Sequence, residues 1–458
     1  MKRLVGLWLL GLWIGLSTPL VVQSDEIDHV FDFDHVTDVS VANPLTEPVT
    51  IIEGMNIASG DYTYDRDTDM ITFHQAYLVH LVPGIHAWNV WGLDHYETLT
   101  IEIIDRHQAY RIINGGFETG DLLGFTALDI FKGERTLQAF TDRDVQSVSD
   151  GNLVQAVGAY YLGLDPEISP SLQKERMGIL RSSAFTLGGS GFITFRLGGG
   201  LPSLLTYLSV RLVENDREVA RYIPFIDPLS TQTPELRLYQ ADLSAYIGQR
   251  LLLEFCDYGG RTHDFLIIDD IETYHPEVPL EGILLEDEKP TFNAPYPPNQ
   301  VQNGSFTQGL DHWTEVLETT AFHVVSGQMR SNDGGDSAIG MIRSNLFRLD
   351  GAGVVSMKLG AAAGERFDKD TFVSIRHYPS HREIYRFAND RHDGIEMKIY
   401  YVDLSDYIGE TFYFEIIDNA GGSYDTIFVD DIITYYAARP FFDYSVLAKD
   451  LLQWRDGS

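Results

Sequence analysis

The sequence predicts an all-β chain, with a small leading sandwich followed by two copies of one larger β-sandwich domain. Two observations carry this. Aromatic residues make up 12% of the chain, and apolar positions alternate or gather in short runs instead of recurring at helical spacing. The second observation is a duplication. Residues 239–275 read YQADLSAYIGQRLLLEFCDYGGRTHDFLIIDDIETYH, and residues 400–436 read YYVDLSDYIGETFYFEIIDNAGGSYDTIFVDDIITYY. They align without a gap at an offset of 161 residues. The shared D-L-S-x-Y-I-G and D-D-I exceed what composition produces, so one domain occurs twice.

Residues 1–24 read as an export signal. Lys2 and Arg3 form the charged start, Leu4 to Leu16 is an uncharged apolar run, and Val22-Gln23-Ser24 offers a cleavage site before Asp25. The run is too short for a membrane span, so the expected product is a secreted, soluble chain. The formal charge of the full chain, −34, argues against nucleic acid and anionic membrane surfaces as partners. The lone Cys256 has no internal disulfide partner. Ile417 stands at its place in the second copy, so the expected role is that of a small buried hydrophobe.

Residues 25–106 form the first unit, with short strand-like runs at Val49 to Ile52, Asp69 to Phe73, Ala87 to Val90 and Thr98 to Ile104. The repeats span 107–276 and 301–438. Each opens alike, with Asn114-Gly115-Gly116-Phe117-Glu118 matching Asn303-Gly304-Ser305-Phe306-Thr307. Each continues from G-x-L/I-R-S (178–182 and 340–344) to Leu197-Gly198 and Leu359-Gly360. The first copy is longer, chiefly through 155–176. At roughly 140–165 residues, each suffices for an eight-stranded, double-sheet jelly roll. Between them, 277–300 is rich in Pro and Glu and reads as an extended, semi-stiff linker. In the tail, 439–458, Ser445 to Trp454 has the composition of a short helix.

Two resemblances follow from these motifs. Residues 60–86, GDYTYDRDTDMITFHQAYLVHLVPGIH, resemble the Ig-like modules of cellulosome scaffoldins and secreted glycosidases. This implies an N-terminal Ig-like sandwich serving as a spacer or weak surface-binding module. The repeats, with N-G-x-F-x-x-G, R-S-x-x-F-x-L, L-G-G-G (197–200), D-L-S-x-Y-I-G and V/I-D-D-I, resemble galactose-binding-like jelly-roll modules. They are most similar to the non-catalytic domains that accompany levanase- and fructanase-type enzymes of glycoside hydrolase family 32. The fold expected is therefore all-β: an Ig-like sandwich followed by two tandem jelly-roll domains.

The strand that ends each repeat is the best chemical clue. Strict alternation places Ile267, Asp269 and Ile271 on one face and Ile268, Asp270 and Glu272 on the other. Glu272 marks the second face as the wetter one, so Asp269, and likewise Asp430, is expected to point inward. A buried carboxylate needs a cation or several donors, and calcium suits carboxylate and carbonyl oxygens. The resemblance implies a structural calcium held by Glu118 and Asp269 in the first copy. In the second, Asp430 is the counterpart of Asp269, and Thr307 stands where Glu118 does, so that site loses a carboxylate. An Asp bonded only to backbone at a strand end is the competing explanation.

Sugar sites would combine aromatic platforms with Arg, Asn and Asp at a loop edge. In the first copy the candidates are Tyr160, Tyr161, Gly199 and Gly200 of the Gly-rich loop, Tyr222 and Asp227; in the second, Arg386, Asn389 and Asp390. Trp313 is read as core. His377, His381 and His392 have no helix to gather them round zinc and read as solvated loop residues. No G-x-S-x-G, H-E-x-x-H, Walker or N-D-P-N-G-type motif occurs. The expectation is a secreted, non-catalytic carbohydrate-binding protein with polysaccharide or cell-surface glycan as partner and no organic cofactor. The alternatives are the non-catalytic front of a secreted fructan-type hydrolase, which the abrupt end at Gln453 to Ser458 motivates, and an extracellular adhesion or scaffold protein.

Overall fold

The structure, a computed structural model, describes residues 27–33, 35–55, 57–128, 137–138, 140–148, 155–163, 176–199, 205–223, 236–258, 266–293, 296–316, 321–331, 339–361, 371–387, 397–419, 426–441 and 449–450. Residues 1–24, which the sequence reading takes as an export signal, lie outside them, as do most of the tail and most of the 155–176 insertion. The described residues are all-β apart from short 3-10 turns and one α-helix, Gln75–Leu78. The chain divides into two compact units, one ending at Asp105 and the other beginning at Arg106, with His80–Val82 grouped with the second.

The first unit is a sandwich of two sheets. One orders His29–Asp32, Tyr96–Ile104, Gly84–Trp91 and Ile51–Glu53; the other orders Val39–Ala42, Met70–Phe73 and Tyr62–Asp65. Alternation along Gly84–Trp91 sends His86, Trp88 and Val90 inward and leaves Ala87, Asn89 and Trp91 on the outer face. Buried Trp88 donates its Nε1 to the Tyr77 hydroxyl at 3.0 Å, which gives the short helix its anchor.

In the second unit each repeat is a two-sheet jelly roll, and the sheet orders match. The first sheet runs Glu218–Tyr222, Thr206–Leu212, Arg250–Asp257, Arg176–Ser182, Phe125–Leu128 in the first copy. In the second it runs Glu383–Phe387, Thr371–Tyr378, Thr411–Asp418, Gly340–Ser344, Trp313–Glu315. The opposing sheets centre on Phe192–Gly199 and Leu266–Glu272, and on Val354–Ala361 and Ile427–Ile433. Each copy has its own core, with Phe117, Phe195, Leu253 and Ile268 in the first and Phe306, Val355, Phe414 and Val429 in the second.

The duplicated motifs act alike in both cores. In D-L-S-x-Y-I-G, Asp242 and Asp403 accept the backbone N–H of Ser244 and Ser405, starting a 3-10 turn, while Leu243 and Leu404 plug the core. In N-G-x-F, Asn114 and Asn303 adopt positive φ (57° and 52°) and their side chains tie the loop closed. Trp313 is core, as the sequence indicates, its ring tilted against Phe306 with centroids 5.2 Å apart.

The two copies are packed against each other through the outer faces of their first sheets. Met177, Ile179, Tyr207, Cys256 and Tyr258 of the first meet Met341, Phe372 and Ile417 of the second. The segment read as a linker is extended but attached. Ile283–Leu284 adds a parallel strand to Arg237–Asp242, Asp287 accepts the Arg221 N–H, and the Phe292 ring lies against Tyr378 and Tyr413. In the tail, where composition favours a short helix, Lys449–Asp450 instead pairs as a strand with Tyr385 and Arg386.

Candidate functional site

In the first copy, the strand Leu266–Glu272 is interrupted by a β-bulge. Its register against Phe192–Gly199 shifts between Thr194 and Arg196, and Asp270 takes φ 50°. The extra residue resets the alternation. Ile268 and Ile271 both enter the core, while Asp269 pairs beside Arg196 on the outer face. The expectation that Asp269 points into the sandwich with Ile267 and Ile271 is therefore corrected. Asp269 is nonetheless fully buried, because residues 155–160 cover that face; its carboxylate accepts N–H groups from Val157 (2.7 Å) and Asp270 (2.8 Å).

Glu118 reaches the same covering segment. The opening loop is laced to the terminal strand by Ile271 N–H donating to the Gly115 carbonyl at 3.0 Å. Glu118 then accepts the Ala159 N–H at 2.9 Å. Gly158 (φ +77°) lies directly on it, and a Cβ there would sit 2.1 Å from Glu118 Oε1. Burial, with repulsion from Asp270, pushes the Glu118 carboxyl up to about 7. Burial, with repulsion from Asp270 and Glu118, pushes Asp269 up to about 8.

These are hard oxygen donors of the type a divalent cation such as calcium takes, although Arg196 pairs with the neighbouring Asp270 at 3.2 Å. Among the described residues, however, no group of three His, Cys, Asp or Glu side chains converges at metal-holding range. The second copy keeps the bulge, with Asp431 at φ 48° and a shift between Ser356 and Lys358, but its Asp430 is only half-buried. Asp430 is raised by burial, and Lys358 lies beside Asp431 at 2.5 Å.

The sugar candidates scatter. Tyr160 is half-buried, its ring above Gly120. Gly199 pairs with Leu266 at the strand end. Gly200, Asp227, Asn389, Asp390 and His392 lie outside the described residues. Three candidates are corrected by their burial, since a glycan arriving from solvent does not reach them. Tyr161 is packed with Leu236 and Ile267, Tyr222 belongs to the first core, and Arg386 is fully enclosed over the Phe372 ring and paired with Glu383 at 2.7 Å. His381 is also not a solvated residue. It is buried against the Tyr413 hydroxyl (3.0 Å), and burial pushes its imidazole down to about 3.

Sequence reasoning missed the polar half of the inter-repeat contact. Arg181, Glu254, Arg211, Glu218 and Arg221 form an alternating ladder on the first copy, and Arg343, Glu415, Arg376, Glu383 and Arg386 repeat it on the second. Arg382 crosses over to bind Glu254 (2.7 Å) and Asp216 (2.6 Å), and Arg211 donates to the Ser380 carbonyl at 2.7 Å. Burial would raise Glu218 and Glu415, but their arginines outweigh it and hold each at about 2. Equally spaced charges on paired strands in both copies were the available signal. A cleft of about 620 Å³ between residues 287–293 and the Trp313–Glu315 edge, lined by Asn293, His312, Glu315 and Asn345, was likewise not foreseen.

The contact between the copies uses their first sheets and not their second. On the first copy the second sheet carries the pairs Arg196–Asp270 (3.2 Å) and Arg111–Glu272 (3.1 Å), with the stacked rings of His107 and Tyr274 alongside. Fold and site together define a class: an all-β chain of sandwich modules whose jelly-roll pair offers polar and aromatic surface. No known family model matches the chain, and no curated protein matches it. Among solved structures, one described as "CBM4 structure and function" is similar at 14% identity, covering 29% of this chain and 97% of that one, with a TM-score of 0.23. The K3 adhesin domain of Lys-gingipain from Porphyromonas gingivalis is similar at 10% identity, over 28% and 95%, with a TM-score of 0.21. The CBM22-1-CBM22-2 tandem of Paenibacillus barcinonensis Xyn10C is similar at 13% identity, over 71% and 97%, with a TM-score of 0.19. At such scores the likeness is loose, and the architecture rests on the strands described above.

Proposed function

We propose that the chain is a secreted, non-catalytic carbohydrate-binding protein whose jelly-roll pair engages a polysaccharide or cell-surface glycan. The observation that carries this reading is the second sheet of the first repeat. Its guanidinium and carboxylate groups can exchange their pairing for sugar hydroxyls, and the His107–Tyr274 stack supplies an apolar ring face. The motif resemblance to modules of fructan-degrading enzymes supports the same class of ligand, and the export segment supports secretion. Among the described residues no helix is long and apolar enough to cross a membrane.

A structural calcium at Glu118 and Asp269 belongs to this proposal for the first copy alone, where it would neutralise the buried carboxylates and pin the 155–160 segment. The two repeats lie in one compact unit, joined through their first sheets. Affinity electrophoresis of the full chain through gels holding levan, inulin, xylan or β-glucan tests the proposal. Retardation weakened by Arg196→Ala or Glu272→Ala supports it, and migration unaffected by every polysaccharide would sink it.

A further inference from the structure

The first unit has a surface that its own fold does not use. On the outer face of the sheet containing Ile51–Glu53, Gly84–Trp91 and Tyr96–Ile104, the register places Ile51, Trp91 and Tyr96 in one row across three strands. The next row is Glu53, Asn89 and Thr98. Ile51 and Tyr96 are 47% and 48% exposed, and the Trp91 and Tyr96 rings lie 4.6 Å apart. Trp91 donates its indole N–H to Glu53 at 2.9 Å, which fixes the larger ring on the sheet surface. The sandwich core is complete without these side chains, since Trp88, Val90 and Ile101 fill it from the other face. Isolated exposed hydrophobes need no explanation, but two adjacent aromatic rings on the outer face of a sheet do.

The geometry points to a second carbohydrate-binding site, in which a neutral glycan chain lies across Trp91 and Tyr96 and is hydrogen-bonded by Glu53, Asn89 and Thr98. Indole and phenol rings offer apolar faces to the C–H side of a pyranose, and a carboxylate, an amide and a hydroxyl one row away match its hydroxyls. Charge narrows the occupant. Between residues 25 and 105, Arg66 is the one Lys or Arg against sixteen Asp and Glu. That field repels polyanions, and it repels a second copy of the same face. The site does not depend on the reading of the repeats, so the two stand or fall separately.

The test uses the full chain with hydroxyethyl cellulose, xylan, laminarin and levan as probes in affinity electrophoresis. A Trp91→Ala/Tyr96→Ala double variant should lose roughly tenfold or more in affinity for the polysaccharide that retards the wild type. Trp91→Phe should keep most of it, and salt at about 0.5 M should leave binding unchanged. Unaltered thermal unfolding of the double variant excludes misfolding as the cause. Retention of full binding by the double variant overturns the site; sensitivity to Arg196→Ala in the same gels would then leave the repeats as the binders. Loss of binding only in the double variant keeps this site and removes the repeats. Concentration-dependent self-association abolished by the double variant makes the face a self-interface and overturns the inference. Failure of every polysaccharide to retard the wild type overturns both readings.

Discussion

The two repeats share a fold, a bulge and a charge ladder, yet they differ at two places that matter. In the first copy Glu118 joins buried Asp269; in the second the corresponding residues are exposed Thr307 and half-buried Asp430. The other difference lies in equivalent hairpin turns. Arg382 of the second copy is buried in the first copy's ladder, whereas its counterpart Arg217 is exposed. Duplication thus produced a near-symmetric pair in which one partner inserts a turn and the other receives it.

The strongest way to break this comparison is at the crossing arginine. Arg382→Ala takes one of three arginines from buried Glu254 and the crossing partner from Asp216, and should cost about 3 kcal/mol in denaturant unfolding, because a member of a buried ionic network is removed. Arg217→Ala should cost less than about 0.5 kcal/mol. Equal losses would refute the asymmetry. The same interface has a pH signature. Glu415 has its carboxyl held at about 2, below the ordinary 4.5, so its stabilisation is complete above 4.5 and disappears as pH falls toward 2. The gap in urea midpoint between wild type and Glu415→Gln should stay constant from neutral pH to about 4.5 and close below it.

Calcium sharpens the comparison at the terminal strands. Saturating calcium should raise the melting temperature by roughly 5 °C, a chelator should reverse the rise, and Glu118→Thr, which copies the second repeat, should abolish it. Next come the shared glycines. At Gly191 (φ +80°) and Gly353 (φ +68°) an added Cβ would meet Ser244 and Ser405 Cα at 2.5 and 2.6 Å. Alanine at either should therefore cost a similar amount, about 2 kcal/mol, since the two turns are the same. The smallest effect belongs to Cys256→Ile, which copies Ile417 and should change stability by less than about 1.5 kcal/mol. Burial pushes the Cys256 thiol up to about 12, so thiol reagents should label it only on unfolding.

Much of the fold was legible. The duplicated D-L-S-x-Y-I-G and N-G-x-F segments read as one domain occurring twice, and Trp313 and Cys256 read as buried. The site was less legible. Period-two alternation misplaced Asp269 because one residue at positive φ, Asp270, shifts every side chain after it to the other face. Tyr222 and Arg386 were taken for ligand contacts because an aromatic ring or a guanidinium on a strand looks the same in sequence whether its face meets water or another sheet.

The sequence by itself determined the all-β class and the duplication, since those depend on apolar residues in short alternating runs and on motifs that recur at a fixed offset. Only the tertiary structure decided that the charged faces of the two copies close on each other. Alternating Arg and Glu on paired strands satisfy one another equally well in water or in a dry interface. What selects between them is the apolar patch of Tyr207, Cys256, Phe372 and Ile417 beside the charges, whose burial requires both copies at once.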